Sequence, residues 1–324
     1  MIELAGLAEF QQGLLTRGQA IAAGASDDDL RRAVRSGVLR RLRRGCYTAA
    51  PAYAQLSAAD QHVLLARAAV ACQLGQVALT GPSAAALHGL NLHGQDLDIV
   101  HLVRLDAGSA RHQTGIKHHV LTHDITKDLM VVSGLTTVTP ARSVWEVATT
   151  SSLESGVCTL DSALRRWPDL PGELSTISAT FSRRPGSRRA RLTMALGDGR
   201  ADSPGESISR VLFHRFGVPP PQLQHEVVNS DGEIIATTDF YWPDHRHVGE
   251  FDGKVKYSQL LRPHETPGDA VFREKQREDA VRAELLGMTR WTWRDLMPPQ
   301  PPAFIRRLLD DLERSRKLYV RRSA

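Results

Sequence analysis

Apolar residues in the first fifty positions are sparse and helically spaced, with Ile21, Leu30 and Val34 placed to meet in one small core. Thr16 and Ser26 precede these runs as helix N-caps, and Thr16 with Gln19 has the form of a capping box. The spacing predicts a short helix over Ala20–Ala23, ended by Gly24, and another over Asp27–Ser36, broken at Gly37. The period then shortens. Val38-Leu39 and Gly45–Thr48 read as two strands around a basic tip. Helix, tight turn, helix and hairpin is the order of a winged helix-turn-helix, expected over residues 1–52.

Between Leu56 and Leu74 alanine and leucine recur at helical spacing, Val77–Leu79 is a short strand, and Gly81-Pro82-Ser83 starts a helix running to Leu90. Leu97–Arg104, Lys117–Thr122 and Met130–Val138 have strand character, and Thr139-Pro140 opens a further helix with proline at its first position. Residues 53–181 are therefore expected to form a middle mixed α/β domain, from which the pattern yields no chemistry. Residues 182–201 read as a basic linker, either adding phosphate contacts or serving only as a tether.

In residues 202–324, Ser203-Pro204 caps a helix carrying Glu206, Ile208, Val211 and Leu212, and Gly217 stops it. Two strands, Glu233–Tyr241 and Arg246–Phe251, follow across a Pro-Asp turn. A densely charged helix over Ala270–Leu286, a strand over Thr289–Trp293 and a basic amphipathic helix over Ala303–Lys317 complete the chain. Helices flanking a small mixed sheet make a layered α/β domain. The class is α/β, in the sense of an α+β multidomain chain.

Length agrees with this division. The 324 residues, 41% hydrophobic and 24% charged, fill two or three domains with real cores. The three cysteines, Cys46, Cys72 and Cys158, are distant and odd in number, which argues against a disulfide framework or zinc site and for a reducing cytoplasm. No signal-peptide pattern opens the chain and no apolar run approaches the ~20 residues of a membrane span. A cytoplasmic protein without membrane contact is expected. Histidines gather at His88, His93, His101, His112, His118, His119 and His123, without the spacing of a zinc site, so polar surface or nucleic-acid contact is their default.

Charge sharpens the picture at the N-terminus. The net charge of +5 favours an anionic partner only non-specifically. Its clustering is more informative: Arg31, Arg32 and Arg35 lie on the second predicted helix, and Arg40, Arg41, Arg43 and Arg44 on the hairpin. A recognition helix and a phosphate-touching wing occupy these places when such a fold docks double-stranded DNA, whereas the bland alternative is a solvated basic face. RNA fits less well, because the aromatic stacking surfaces of single-strand readers are missing. Asp27, Asp28 and Asp29 complement the helix dipole.

This segment, including Val38–Ala49, resembles the N-terminal domain of AbiEi-type antitoxins. Ser83–Leu90 and the Thr139-Pro140-Ala141-Arg142 stretch resemble the second domain of the same proteins. The resemblance implies an antitoxin-like transcriptional autorepressor of a type IV toxin–antitoxin pair, acting beside a nucleotidyltransferase-type toxin.

A second constellation lies near the C-terminus. Glu250 and Asp252 share one face of a strand, and Asp239 ends the neighbouring one. Three adjacent carboxylates repel one another unless a cation sits among them, and such oxygen ligands suit Mg²⁺ or Mn²⁺. Lys254, at the same parity, could orient a water or neutralise charge on a phosphate. Solvated acids at strand ends and a common Asp-Gly turn are the alternative. Asp239 with Glu250-Phe251-Asp252-Gly253, the run Arg273–Asp279, Arg290–Leu296 and the opening Ser203–Arg210 resemble the Vsr-like branch of the PD-(D/E)XK nucleases. That implies a restriction-endonuclease-like α/β/α fold, metal ligands among Glu206, Asp239, Glu250 and Asp252, and Mg²⁺-dependent cleavage of DNA. One departure counts against activity. The superfamily's lysine position is Asp252 here, leaving Lys254, Lys256 and Lys275 as the candidates to take its place.

Overall fold

The computed structural model describes residues 4–6, 12–106, 113–120, 124–253 and 267–320. The chain divides into two compact units, one of residues 1–159 and 167–192, the other of residues 160–166 and 193–324. Helix and sheet alternate throughout, so the expected mixed α/β, multidomain class holds.

Unit one opens with β1 (Leu15–Thr16), α1 (Arg17–Ala22), α2 (Asp27–Arg35), β2 (Leu39–Arg43) and β3 (Cys46–Ala49). Both helices start at complete capping boxes, Thr16 with Gln19 and Ser26 with Asp29. The Ser26 hydroxyl and N–H, helped by Arg32, hold the Asp29 carboxyl down at about 2. The strands form an antiparallel sheet in the order β1-β3-β2. Leu15, Ala20, Leu30 and Leu39 are buried beneath it with Val34 partly so, but Ile21 is 40% exposed. Ala20 takes the inward position of α1, and Ile21, the next residue around the helix, faces outward.

After α3 (Ala50–Gln55) comes a second core, built on a five-stranded mixed sheet in the order β6-β5-β4-β8-β7. Its strands are β4 (Val77–Leu79), β5 (Val100–Arg104), β6 (Ile116–His119), β7 (Leu129–Val132) and β8 (Leu135–Val138). Met130–Val138 is thus two strands: Ser133 and Gly134 adopt φ of 48° and 77° and reverse the chain. Buried Ala66 and Ala69 of α4 (Ala58–Ala71) and Ala84 of α5 (Gly81–Leu87) pack with Leu79, Val100, Leu102 and Val138 of the sheet. Further helices are α6 (Pro140–Thr150), α7 (Leu153–Arg166), which passes into unit two after Thr159, α8 (Leu170–Thr180) and α9 (Ser187–Leu196). The last is a correction. Residues expected to be a linker form a helix held by buried Ala190 and by Arg189, which donates to the carbonyls of Ala148 and Thr149.

Unit two runs α10 (Pro204–Phe216), β9 (Gln222–Val228), β10 (Ile234–Trp242), β11 (His247–Asp252), α11 (Pro267–Ala283), β12 (Gly287–Thr292), α12 (Trp293–Leu296) and α13 (Pro301–Tyr319). Sheet order is β12-β11-β10-β9, with β11 and β12 parallel and the other pairs antiparallel. One face buries Phe240, Trp242 and Trp291 against Phe213 of α10 and Phe304 of α13, with ring centroids 5.2 to 6.4 Å apart. Gly249 admits this cluster, since a Cβ there would lie 2.7 Å from the Trp291 ring. The opposite face packs Val227 and Val248 on Val281 of α11. Trp293 opens α12 instead of extending β12, and meets Phe251 edge-on at 5.1 Å.

Candidate functional site

The arginines of the N-terminal segment fall into two groups. Arg31 and Arg32 are exposed on α2 but each is paired one turn back, with Asp28 and Asp29, while Arg17 binds Asp27. The three aspartates therefore do more than complement the helix dipole: α2 carries three acids and three arginines, and its formal charge cancels. Arg35, Arg40, Arg41 and Arg44 are exposed and have no carboxylate partner among the described residues. Arg40 stacks over the Tyr53 ring at 4.7 Å, which stiffens its side chain without spending its charge. These four make the open cationic surface.

Arg43 departs from the group. The register between β2 and β3 slips between Arg41 and Arg43, and a bulge re-aims the side chain it carries. Arg43 donates to the carbonyls of Thr114, at 3.2 Å, and Gly115, at 2.8 Å. Its role is to tie the hairpin to the edge of the five-stranded sheet. Contact with a phosphate would require breaking those bonds.

A contact that no sequence motif marks lies under this hairpin. Cys46 on β3 and Cys72 at the end of α4 place their sulfurs 3.7 Å apart, Cys46 buried and Cys72 exposed. They are separated by 26 positions, and no local motif links them. Burial pushes the Cys46 thiol up to about 12. Cys158 is buried.

Histidines of the middle region mostly serve the interior. His62 bridges the Leu97 carbonyl and the Ser83 hydroxyl, and His88 reaches the Val138 carbonyl. His101 and His119 stack at 5.1 Å across a polar recess of about 170 Å³ that also holds Thr80, Arg142 and Glu146. Burial and the neighbouring His119 take His101 down to about 3, so both rings stand neutral at physiological pH. Glu146 accepts from the Thr80 hydroxyl, the Gly81 N–H and Arg142, so its oxygens already have donors. His112 and His123 lie outside the described residues.

In unit two the strand alternation sets Glu250 and Asp252 on one face as expected, and Asp239 belongs to the adjoining strand. Asp239 accepts the Phe251 N–H at 2.8 Å, linking β10 to β11 through a side chain. Glu250 is gripped by Arg277 of α11 at 2.7 Å and by Arg290, its register partner on β12, at 3.0 Å. Glu206 is buried on α10, where it accepts from Asp202 N–H, the Ser203 hydroxyl and Gln224. No group of three or more His, Cys, Asp or Glu side chains among the described residues is arranged to hold a metal ion. As they stand, Glu250 is matched to two arginines, and Asp239 and Glu206 accept from N–H and hydroxyl donors. Lys275 is exposed on α11; Lys254 and Lys256 lie outside the described residues.

No helix among the described residues is long and apolar enough to cross a membrane. Residues 3–50 match the family model described as a transcriptional regulator, AbiEi antitoxin. A crystal structure of the RV2827C protein from Mycobacterium tuberculosis aligns with a TM-score of 0.40 and 18% identity, covering 70% of this chain and 87% of that one. Two uncharacterized proteins of Mycobacterium tuberculosis, MT2308 and Rv2248, are each 32% identical over 222 residues, spanning 68% of this chain and 75% of theirs. With that identity over that share of their length, the chain belongs to the family of MT2308 and Rv2248.

Proposed function

We propose that this chain is a DNA-binding transcriptional regulator of AbiEi antitoxin type, whose first fifty residues work as a winged helix-turn-helix on double-stranded DNA. The observation that carries the reading is the set of unpaired, exposed arginines, Arg35 at the end of α2 and Arg40, Arg41 and Arg44 on the β2–β3 hairpin, within the segment that matches the antitoxin model. Phosphates would meet the hairpin, and α2 would offer Arg31 and Arg32 to base edges once the duplex competes for them with Asp28 and Asp29. An autorepressor of this type acts beside a nucleotidyltransferase-type toxin, the partner the reading calls for. The test is a gel shift on duplex DNA over a salt series, comparing wild type with Arg40→Glu/Arg41→Glu/Arg44→Glu. Weaker binding with a flatter salt slope is expected, by about 0.9 per phosphate contact removed. Unchanged affinity would sink the winged-helix assignment.

One observation favours a second reading, that unit two is a Vsr-like PD-(D/E)XK domain and the protein a Mg²⁺- or Mn²⁺-dependent endonuclease. Helix α10, three antiparallel strands, helix α11 and a parallel fourth strand follow the order that the resemblance implies, with Asp239 and Glu250 on adjoining strands. The grip of Arg277 and Arg290 on Glu250 opposes it. Cleavage of plasmid and linear duplex by wild type, beside Asp239→Ala and Glu250→Ala, decides between the two.

A further inference from the structure

We propose that Cys46 and Cys72 form a redox-reactive dithiol, in which a hydroperoxide oxidises exposed Cys72 and Cys46 resolves the product into a disulfide beneath the hairpin. The geometry carries this. The sulfurs stand 3.7 Å apart, one on strand β3 and the other on the residue that caps the C-terminus of α4, already in contact before any bond forms. Only one of the two meets solvent, which divides the labour: Cys72 is exposed to an oxidant, and Cys46 is buried at 3% exposure directly behind it.

Their surroundings fit that chemistry. Cys72 hydrogen-bonds the Arg44 carbonyl at 3.7 Å and Cys46 the Ala68 carbonyl at 3.8 Å, so each thiol has been placed by the backbone opposite it. The Arg43 guanidinium, fixed by the Thr114 and Gly115 carbonyls, lies close enough to act electrostatically with both sulfurs. Its Nε–H is buried without a partner, an open donor in the same neighbourhood.

The Cys72 thiolate attacks the O–O bond of the hydroperoxide and takes one oxygen as a sulfenic acid; the peroxide is reduced to water or an alcohol. The Cys46 sulfur then attacks the Cys72 sulfur. The S–S bond forms, the S–O bond breaks, and the hydroxyl leaves as water with the Cys46 proton. The product covalently ties the hairpin to α4. A change in DNA affinity on oxidation rests on the function proposed above; the bond itself is read without DNA.

The experiment treats the reduced full-length chain with hydrogen peroxide, then alkylates it in denaturant for mass spectrometry. Alkylatable thiols are expected to fall from three to one, with a loss of two hydrogens and a peptide joining Cys46 to Cys72, leaving Cys158. Cys72→Ser, at an exposed site, should keep both remaining thiols. Cys46→Ser should stop at a sulfenic acid on Cys72 that dimedone captures. A wild-type chain that adds oxygen without cross-linking, pairs Cys72 between molecules, or keeps all three thiols overturns the proposal. A cross-link that forms while duplex binding is absent in both redox states retains the dithiol and rejects the DNA-binding reading.

Discussion

Asp161 of α7 is fully buried, and both its oxygens have donors: Asp198 N–H at 2.7 Å, the Ser207 hydroxyl at 2.7 Å and Arg210 at 2.8 Å. Burial still outweighs these partners and lifts the carboxyl to about 6. Breaking such a pair from one side strands a charge, so Arg210→Met should cost unit two about 3–5 kcal/mol at neutral pH. Urea denaturation followed by tryptophan fluorescence would measure it. The cost should shrink below pH 6, where Asp161 takes up a proton. His247 pulls the other way. It lies buried between the hydroxyls of Ser315 and Thr289, and burial takes it down to about 4 from 6.5. Its folded pKa is depressed, so its contribution is complete above pH 6.5 and is lost as pH falls through 4. Asp161 is raised, so its contribution is complete below 3.8 and lost as pH rises through 6. Between pH 6 and 4 the two oppose each other. His247→Gln should keep a hydrogen bond and remove one side of that opposition. Relative to wild type, its denaturation midpoint should improve steadily from pH 6.5 to 4; a constant difference would place the titration elsewhere.

The hairpin shows what an element adds to its residues. Four arginines on it look equivalent in sequence, yet a register slip sends Arg43 to the Thr114 and Gly115 carbonyls and leaves Arg40, Arg41 and Arg44 open. Arg43→Ala should therefore lower stability by about 1–3 kcal/mol through its lost bonds to carbonyls. It should leave the salt slope of duplex binding near wild type, whereas Arg41→Ala should do the reverse. Thermal denaturation beside gel shifts at two salt concentrations separates them. The same contrast explains what could be read in advance. Caps and periodicity are local, so α2, α5, α10 and the strands around Asp239 and Glu250 lie near their expected places. Features settled by distant contacts were missed: the bulge at Arg43, the meeting of Cys46 and Cys72, and α9, which forms because Gly186, at φ 81°, lets the backbone pass beside the Thr149 carbonyl. The turn at Ser133-Gly134 is the exception, since its signal is local although it sits inside an apolar run.

At the scale of the whole molecule, one unit carries the open arginines and the other the acidic strands, so binding and cutting can be tested apart. Two guanidiniums within 3.0 Å neutralise Glu250, and a divalent cation would have to displace both before using that carboxylate. Asp239 already accepts the Phe251 N–H, a bond that a metal would have to compete with. These competing bonds lead to a definite expectation for purified chain incubated with duplex DNA and Mg²⁺ or Mn²⁺: the DNA is retarded and remains intact. Arg277→Ala, which removes one of the competing cations, should raise metal affinity if the acids retain a nuclease geometry, measurable by Mn²⁺ titration calorimetry without any cleavage. Asp239→Ala should meanwhile leave duplex binding unchanged, since the arginines of α2 and the hairpin belong to the other unit. Cutting by wild type that Asp239→Ala and Glu250→Ala both abolish would make the protein an endonuclease. In that case the arginine hairpin would direct it to DNA, and charge reversal there should lower cleavage at low enzyme concentration while sparing it at saturation.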